Sequence, residues 1–246
     1  MSKMNTNKDK GIAKPLMTIL RLYIVIAVPV LLVIGSVRLV MNTQFLNFEY
    51  NRAGFPEDRY GFSTEDRMEY GQYGISYLLN DSDIAYLADR TLTGDVCYPP
   101  QDTACSMFSD RELGHMEDVK VVANGAFSFG MYAMLLAIIS GLLQWKRVSI
   151  EALRLSLMQG SLLTLGLITT IILLAVTSWD LFFSMFHSFF FAAGTWQFYN
   201  SDTLIRLYPE QFWFDISLLV GGLTTVAAII IFVATLGWRN IRHYLP

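Results

Sequence analysis

Four apolar runs, almost free of charge, constrain this chain more than any other feature. They cover residues 22–41, 121–143, 155–179 and 212–238. A helix needs about 20 apolar residues to cross a hydrocarbon core about 30 Å thick, and each run reaches or approaches that length. Inside a bilayer every backbone polar group must be satisfied within the protein, so such runs form helices. The chain is 53% hydrophobic and 16% charged, where a soluble domain carries about 25% charged residues. The shortfall sits in these runs. The expected fold is an α-helical polytopic membrane protein, a four-transmembrane-helix bundle. Gly160, Ser161, Thr164, Gly166, Gly221, Gly222, Thr224 and Thr225 lie within the runs, where small residues suit close helix packing.

Lys and Arg near the runs set the expected orientation. Lys3, Lys8, Lys10, Lys14 and Arg21 precede or enter the first, with Arg38 placed to snorkel at its end. Lys146, Arg147 and Arg154 lie between the second and third, and Arg239 and Arg242 follow the fourth. Both termini are then cytoplasmic. Residues 1–15 form a polar, disordered tail, 16–41 the first helix and 42–120 a small extracytoplasmic insertion. Residues 121–143 and 155–179 form the next two helices, joined by a cytoplasmic loop at 144–154. An extracytoplasmic segment at 180–211, a fourth helix at 212–238 and a tail at 239–246 complete the chain. The first run is long for a signal peptide and lacks a clear small-residue cleavage site, so it reads as an uncleaved anchor. No lipidation motif is evident.

Within the insertion, Ser63 followed by acids marks a helix start. Met68, Tyr73, Tyr77 and Leu78 give that helix an apolar stripe. Residues 81–90 suggest a short second helix, and 90–108 a loop or hairpin rich in Gly, Pro and Thr. Cys97 and Cys105 are the chain's two cysteines. In an oxidising exterior a local disulfide is the expected state. The alternative is a redox pair, though the spacing is not CxxC and no third cysteine exists to relay electrons.

The stretch 109–121, SDRELGHMEDVKV, joins the insertion to the second run. Ser109 with Glu112 three residues on is a capping box. His115 and Asp118 share a helix face, and Glu112 and Asp118 stand about one turn either side of the ring, placed to orient it. At about 1.5 Å per residue, His115 lies roughly 9 Å outside residue 121, near headgroup depth. The stretch 180–211 is unusually aromatic, with Phe182, Phe183, Phe186, Phe189, Phe190 and Phe191 around His187. It is too apolar for an exposed loop and too short for a further span, so an interfacial or re-entrant segment is expected. Trp179, Trp196, Tyr199, Tyr208 and Trp213 would join an aromatic belt. A lone interfacial histidine is ordinarily an amphipathic anchor. Two on separate segments at one membrane surface suggest a shared site. The third, His243, sits in the cytoplasmic tail with no specific role.

Several chemistries lack their residues. There is no HExxH, no GxSxG elbow and no P-loop, and no basic face or reading motif for nucleic acid. An enzyme with this inventory works by acid–base chemistry on two histidines, without a covalent nucleophile of its own. No cofactor or metal is called for, although His115, His187 and Asp118 are residue types that suit zinc.

Three stretches together, YGFSTEDRMEYGQYGISYL, RELGHMEDVK and FHSFFF…WQFYNSDTLIRLYPEQFW, resemble the lipoprotein intramolecular transacylase (Lit) family of bacterial integral membrane proteins. The resemblance runs from the first span to the fourth. It implies a multi-pass protein of the bacterial cytoplasmic membrane, active at the extracytoplasmic face on diacylglyceryl-modified lipoproteins and in contact with membrane lipid. The implied reaction moves the sn-2 acyl chain to the α-amino group of the N-terminal cysteine and leaves the lyso form. The family's two histidines map to His115 and His187. The expected roles are His187 as general base, among aromatic rings that disfavour its cation, and His115 as a cation held by Asp118, serving as oxyanion donor and general acid. Arg206, Trp196, Tyr208 and Phe189 are candidate substrate contacts. Gly114 departs from the bulkier or polar residue expected before the histidine, which would loosen the His115 side chain. Two other classes share parts of this pattern. One is a non-enzymatic membrane adaptor that binds an envelope partner. The other is a quinone-linked disulfide oxidase, which needs a second reactive cysteine pair.

Overall fold

The computed structural model describes the backbone of residues 6–241 and the side chains of 15–237. His243 lies outside the described residues. The four apolar runs fall on helices α1 (Thr6–Val40), α5 (Asp110–Arg147), α6 (Ile150–Thr177) and α9 (Glu210–Ile241). Each is long and apolar enough to cross a membrane. Helix α1 begins inside the segment expected to be a disordered tail. The remaining elements are α2 (Thr43–Tyr50), α3 (Thr64–Leu79), α4 (Ala85–Ala88), strands β1 (Thr91–Leu92) and β2 (Cys105–Ser106), α7 (Trp179–Phe190) and α8 (Thr203–Leu207).

The chain divides into two compact units. The first (Met1–Val37, Phe127–Leu173, Val220–Pro246) is built from the apolar parts of the four long helices. Small residues let backbones approach. A Cβ on Gly160 would meet Val28 Cβ at 2.8 Å, and Ser161, Thr164 and Thr224 are fully buried. Gly166 and Gly222 face open space instead, so not every small residue in the runs marks a contact. Polar side chains cross-link helices, as Tyr23 does by donating to the Ala133 carbonyl at 2.7 Å and Thr224 to Ser36 Oγ at 3.0 Å. Phe129, Leu135, Ile138, Leu167, Ile230 and Val233 point outward and are exposed. So much bare apolar surface is costly in water and natural in lipid.

The second unit (Arg38–Ala126, Leu174–Leu219) holds the short elements and the ends of the long helices. Local chemistry starts each helix. Asn42 caps α2 by accepting from Phe45 N–H at 2.9 Å. Ser63 and Asp66 form a reciprocal capping box at α3, and Ser109 with Glu112 does the same for α5. Helix α2 was not anticipated from sequence, although its Asn42 cap is a legible signal. Two tyrosines bind the unit together. Tyr50 donates to the Leu207 carbonyl at 2.8 Å, and Tyr208 to the Gly71 carbonyl. Gly74 is needed there, because a Cβ would collide with the Tyr208 hydroxyl. Leu87 and Leu207 are fully buried, each worth about 1.5–3 kcal/mol.

The region expected to be a loop or hairpin is a minimal antiparallel pair, Thr91 opposite Ser106 and Leu92 opposite Cys105. Cys97 and Cys105 are joined in a disulfide across eight residues. Closing so short a loop contributes about 2–3 kcal/mol on a chain-entropy account. Trp179, assigned to the third run from sequence, instead opens α7. Ser178 leaves helical geometry (φ −151°, ψ 65°) and breaks α6 from the aromatic helix.

Candidate active site

Every side chain of the candidate site belongs to the second unit. His115 stands on the second turn of α5, in the polar stretch before the apolar run, and is 8% exposed. His187 stands in the last turn of α7. Their ring centres lie 6.4 Å apart, with planes tilted by 24°. Sequence separates them by 72 residues (187 − 115); the strap at 191–202 folds back over both. Phe191 and Phe198 from that strap pack on His115 at 5.0 and 5.4 Å. Phe183 and Trp196 cover His187 at 4.0 and 4.8 Å. His115 is thus held by its neighbours, and Gly114, which faces open space, does not leave it loose.

The hydrogen bonds distinguish the two rings. His187 Nδ1 lies 2.8 Å from the Phe183 carbonyl oxygen. A carbonyl only accepts, so in the neutral ring Nδ1 carries the proton and Nε2 keeps its lone pair. His115 Nδ1 is buried with no partner, and so is the indole Nε1 of Trp196. Burial pushes the His115 pKa down to about 4, with His187 adding to the fall and Asp118 opposing it. Burial also lowers the His187 pKa, against the Phe183 hydrogen bond. Burial favours the neutral form of both rings.

Several sequence expectations change here. Asp118 acts on His115 through charge alone, as the smallest of the three influences, too weak to hold a resting cation. Glu112 does not orient His115. It is 3% exposed; one oxygen accepts from the Ser109 N–H and O–H at 2.8 Å, the other from Leu204 N–H at 2.7 Å. It therefore clamps the start of α5 to α8. Arg206 is 2% exposed. Its three nitrogens donate to Asp58 at 3.1 Å and to the Val96 and Tyr60 carbonyls at 3.0 Å each, so it is buried as an anchor between segments rather than presented to a substrate. Tyr208 is buried against α3, its hydroxyl donating to the Gly71 carbonyl. Phe189 is 81% exposed and packs on Phe190 at 4.8 Å; it belongs to the outward stripe of α7 with Leu181, Met185 and Phe186. Among the described residues no three His, Cys, Asp or Glu side chains form a metal-binding group, so Asp118 does not complete one with the histidines.

Sequence reasoning missed the pieces that close the strap. Arg111 Nη2 pairs with Asp202 at 2.8 Å and lies over the Phe198 and Tyr199 rings at 5.1 and 5.4 Å. Arg111 is one turn before His115 in the sequence, but nothing there names its distant partner.

The depressed His115 pKa predicts a pH effect. The fold favours the neutral ring, so this stabilisation is complete above the unfolded value near 6.5 and lost as pH falls through about 4. The loss is on the order of a few kcal/mol. Thermal unfolding of the detergent-purified protein between pH 7 and pH 4 measures it. His115→Gln should flatten that slope; equal slopes in the two proteins rule the effect out.

Four apolar helices define the class: a multi-pass membrane protein, with two histidines paired among aromatic rings. Residues 22–213 match the family model for the lipoprotein intramolecular transacylase Lit. The chain belongs to that family, and membership implies acyl transfer. An uncharacterized protein of Aquifex aeolicus (strain VF5) is 31% identical over 225 residues, spanning 91% of this chain and 97% of its own length. The fold matches the in meso structure of Lit from Bacillus cereus with a TM-score of 0.74 at 18% identity, over 96% of this chain and 100% of that one. A histidine-substituted form of the same protein matches with a TM-score of 0.69 at 14% identity, over 98% and 99%.

Proposed function

We propose that this chain moves the sn-2 acyl chain of a diacylglyceryl lipoprotein onto the α-amino group of its N-terminal cysteine. The product is the N-acyl, S-monoacylglyceryl form. The observation that carries the mechanism is the hydrogen bond from His187 Nδ1–H to the Phe183 carbonyl, which leaves Nε2 as an open base. The substrate supplies the nucleophile, an amine with a pKa near about 7.7–8.0. As the amine attacks, His187 Nε2 takes its proton and then delivers it to the departing glycerol oxygen. Amine and ester belong to one molecule, so orientation supplies much of the rate. His115 acts as a neutral partner packed beside the base, and not as the cation expected from sequence. The aromatic strap sheds water from the reacting groups.

The site is proposed to face the cell exterior, with both termini cytoplasmic. The distribution of Lys and Arg supports this orientation, as does the closed Cys97–Cys105 bond, which suits an oxidising compartment. The exposed apolar stripe of α7 suits an interfacial position.

The test is expression in a bacterium without lipoprotein N-acylation of its own. Mass spectrometry of a released lipopeptide, with acyl positions assigned, should show the lyso form. Lipopeptide that stays diacylated on glycerol with a free amine would overturn the reading.

A further inference from the structure

We propose that Trp196 is a catalytic residue, its indole N–H donating to the acyl oxygen as negative charge develops there. The inference rests on the transfer reaction proposed above. Buried polar groups in folded proteins are almost always hydrogen-bonded, and an indole N–H can only donate. Among the described residues three buried side-chain polar atoms lack a partner: Gln144 Nε2, His115 Nδ1 and Trp196 Nε1. The last two belong to one site. Trp196 lies over His187, ring centres 4.8 Å apart and planes tilted by 32°, while His187 stacks with His115. The unsatisfied donor thus stands beside the ring that keeps the open lone pair. A buried donor left free costs about 1–3 kcal/mol, and a substrate acceptor that reached it would remove that cost.

The reaction needs such a donor. When the amine nitrogen bonds to the ester carbon, the carbonyl π pair moves onto oxygen. The amine proton passes to His187 Nε2. Collapse of the tetrahedral intermediate restores the carbonyl and breaks the bond to the glycerol oxygen, which takes the proton from His187. Charge develops on the acyl oxygen between these steps, and a fixed donor in a water-poor site stabilises it. His115 cannot supply a resting positive charge there, because its buried ring is neutral. Arg206, the other cation considered from sequence, is bound to Asp58, Val96 and Tyr60. Arg111 is held by Asp202. Trp196 Nε1, on the ring packed on His187, is a buried N–H donor left without a partner.

The test replaces Trp196 with 3-benzothienylalanine, which keeps the ring's size and stacking and exchanges N–H for sulfur. Trp196→Phe serves as a second variant. Purified proteins are assayed on a synthetic diacyl lipopeptide for kcat and KM separately, and thermal unfolding is measured alongside. Loss of one oxyanion donor costs about 10²–10³-fold in kcat. The expected result is a fall of that size for the isostere, with KM within a few-fold and unfolding unchanged. An isostere with wild-type kcat overturns the proposal while leaving the transfer reaction intact, as does a loss confined to KM. Wild-type protein that transfers no acyl group overturns the reaction itself, and the role of Trp196 with it.

Discussion

His187→Ala should lower kcat for the proposed acyl transfer by about 10³-fold, within the 10²–10⁴ range of a positioned general base, and change KM little. The reason lies in the Phe183 carbonyl. By fixing the proton on Nδ1 it presents Nε2 as a lone pair from the start, and no other group among the described residues stands in the same aromatic pocket with an assigned acceptor nitrogen. Residual activity above the uncatalysed rate should survive, because the substrate's amine and ester are still held together. In the wild-type protein kcat/KM should rise with pH through the substrate amine's range near about 7.7–8.0, since the lowered His187 pKa leaves the base neutral well below it. Rate measurements on a synthetic lipopeptide, with product positions assigned by mass spectrometry, decide both points. Full-rate transfer by His187→Ala would remove His187 from the chemistry.

Arg206→Ala should destabilise the protein by about 3–5 kcal/mol, the usual consequence of stranding one member of a buried ion pair. The Arg206 and Asp58 side chains are 1% and 3% exposed and 3.1 Å apart. The same guanidinium ties the Val96 and Tyr60 carbonyls to α8 and lies 3.6 Å over the Phe62 ring. The α2–α3 and β1–β2 loops would lose their common anchor, against a typical total stability of about 5–15 kcal/mol. Arg206→Lys should recover only part of the loss, because a single ammonium cannot reproduce the planar fork. Denaturant unfolding of the purified protein measures the change. An Arg206→Ala protein of unchanged stability but raised KM would return Arg206 to the substrate-contact role its sequence position suggests.

The helical frame was open to reading because its signals are local. Four runs of sufficient length and low charge specify four long helices, and the Ser63 and Ser109 caps announce α3 and the start of α5. The small residues were read less well. Gly160 meets Val28 while Gly166 meets nothing, a difference set by which face of α6 a neighbour occupies. Arg206, Tyr208 and Glu112 sit differently from expectation for a related reason. Each has the residue type of a binding or orienting group, but burial and partners, rather than type, decide its role. Glu112 shows this most plainly. Its capping partner is three residues away and was expected, whereas its second partner, Leu204 N–H, is 92 residues away.

What the sequence determined alone, then, was the membrane-spanning character, the disulfide partners and the two histidines as a candidate pair, because these follow from composition, cysteine count and local spacing. The tertiary structure decided how the pair is built. Only folding brings α7 against α5, lays the 191–202 strap over both rings and latches it through Arg111 and Asp202. Only folding shows which ring is fixed by a carbonyl and which buried donor is left open. Hydrogen-bond satisfaction and desolvation depend on every neighbour in space, and the neighbours that matter here come from segments far apart in the chain.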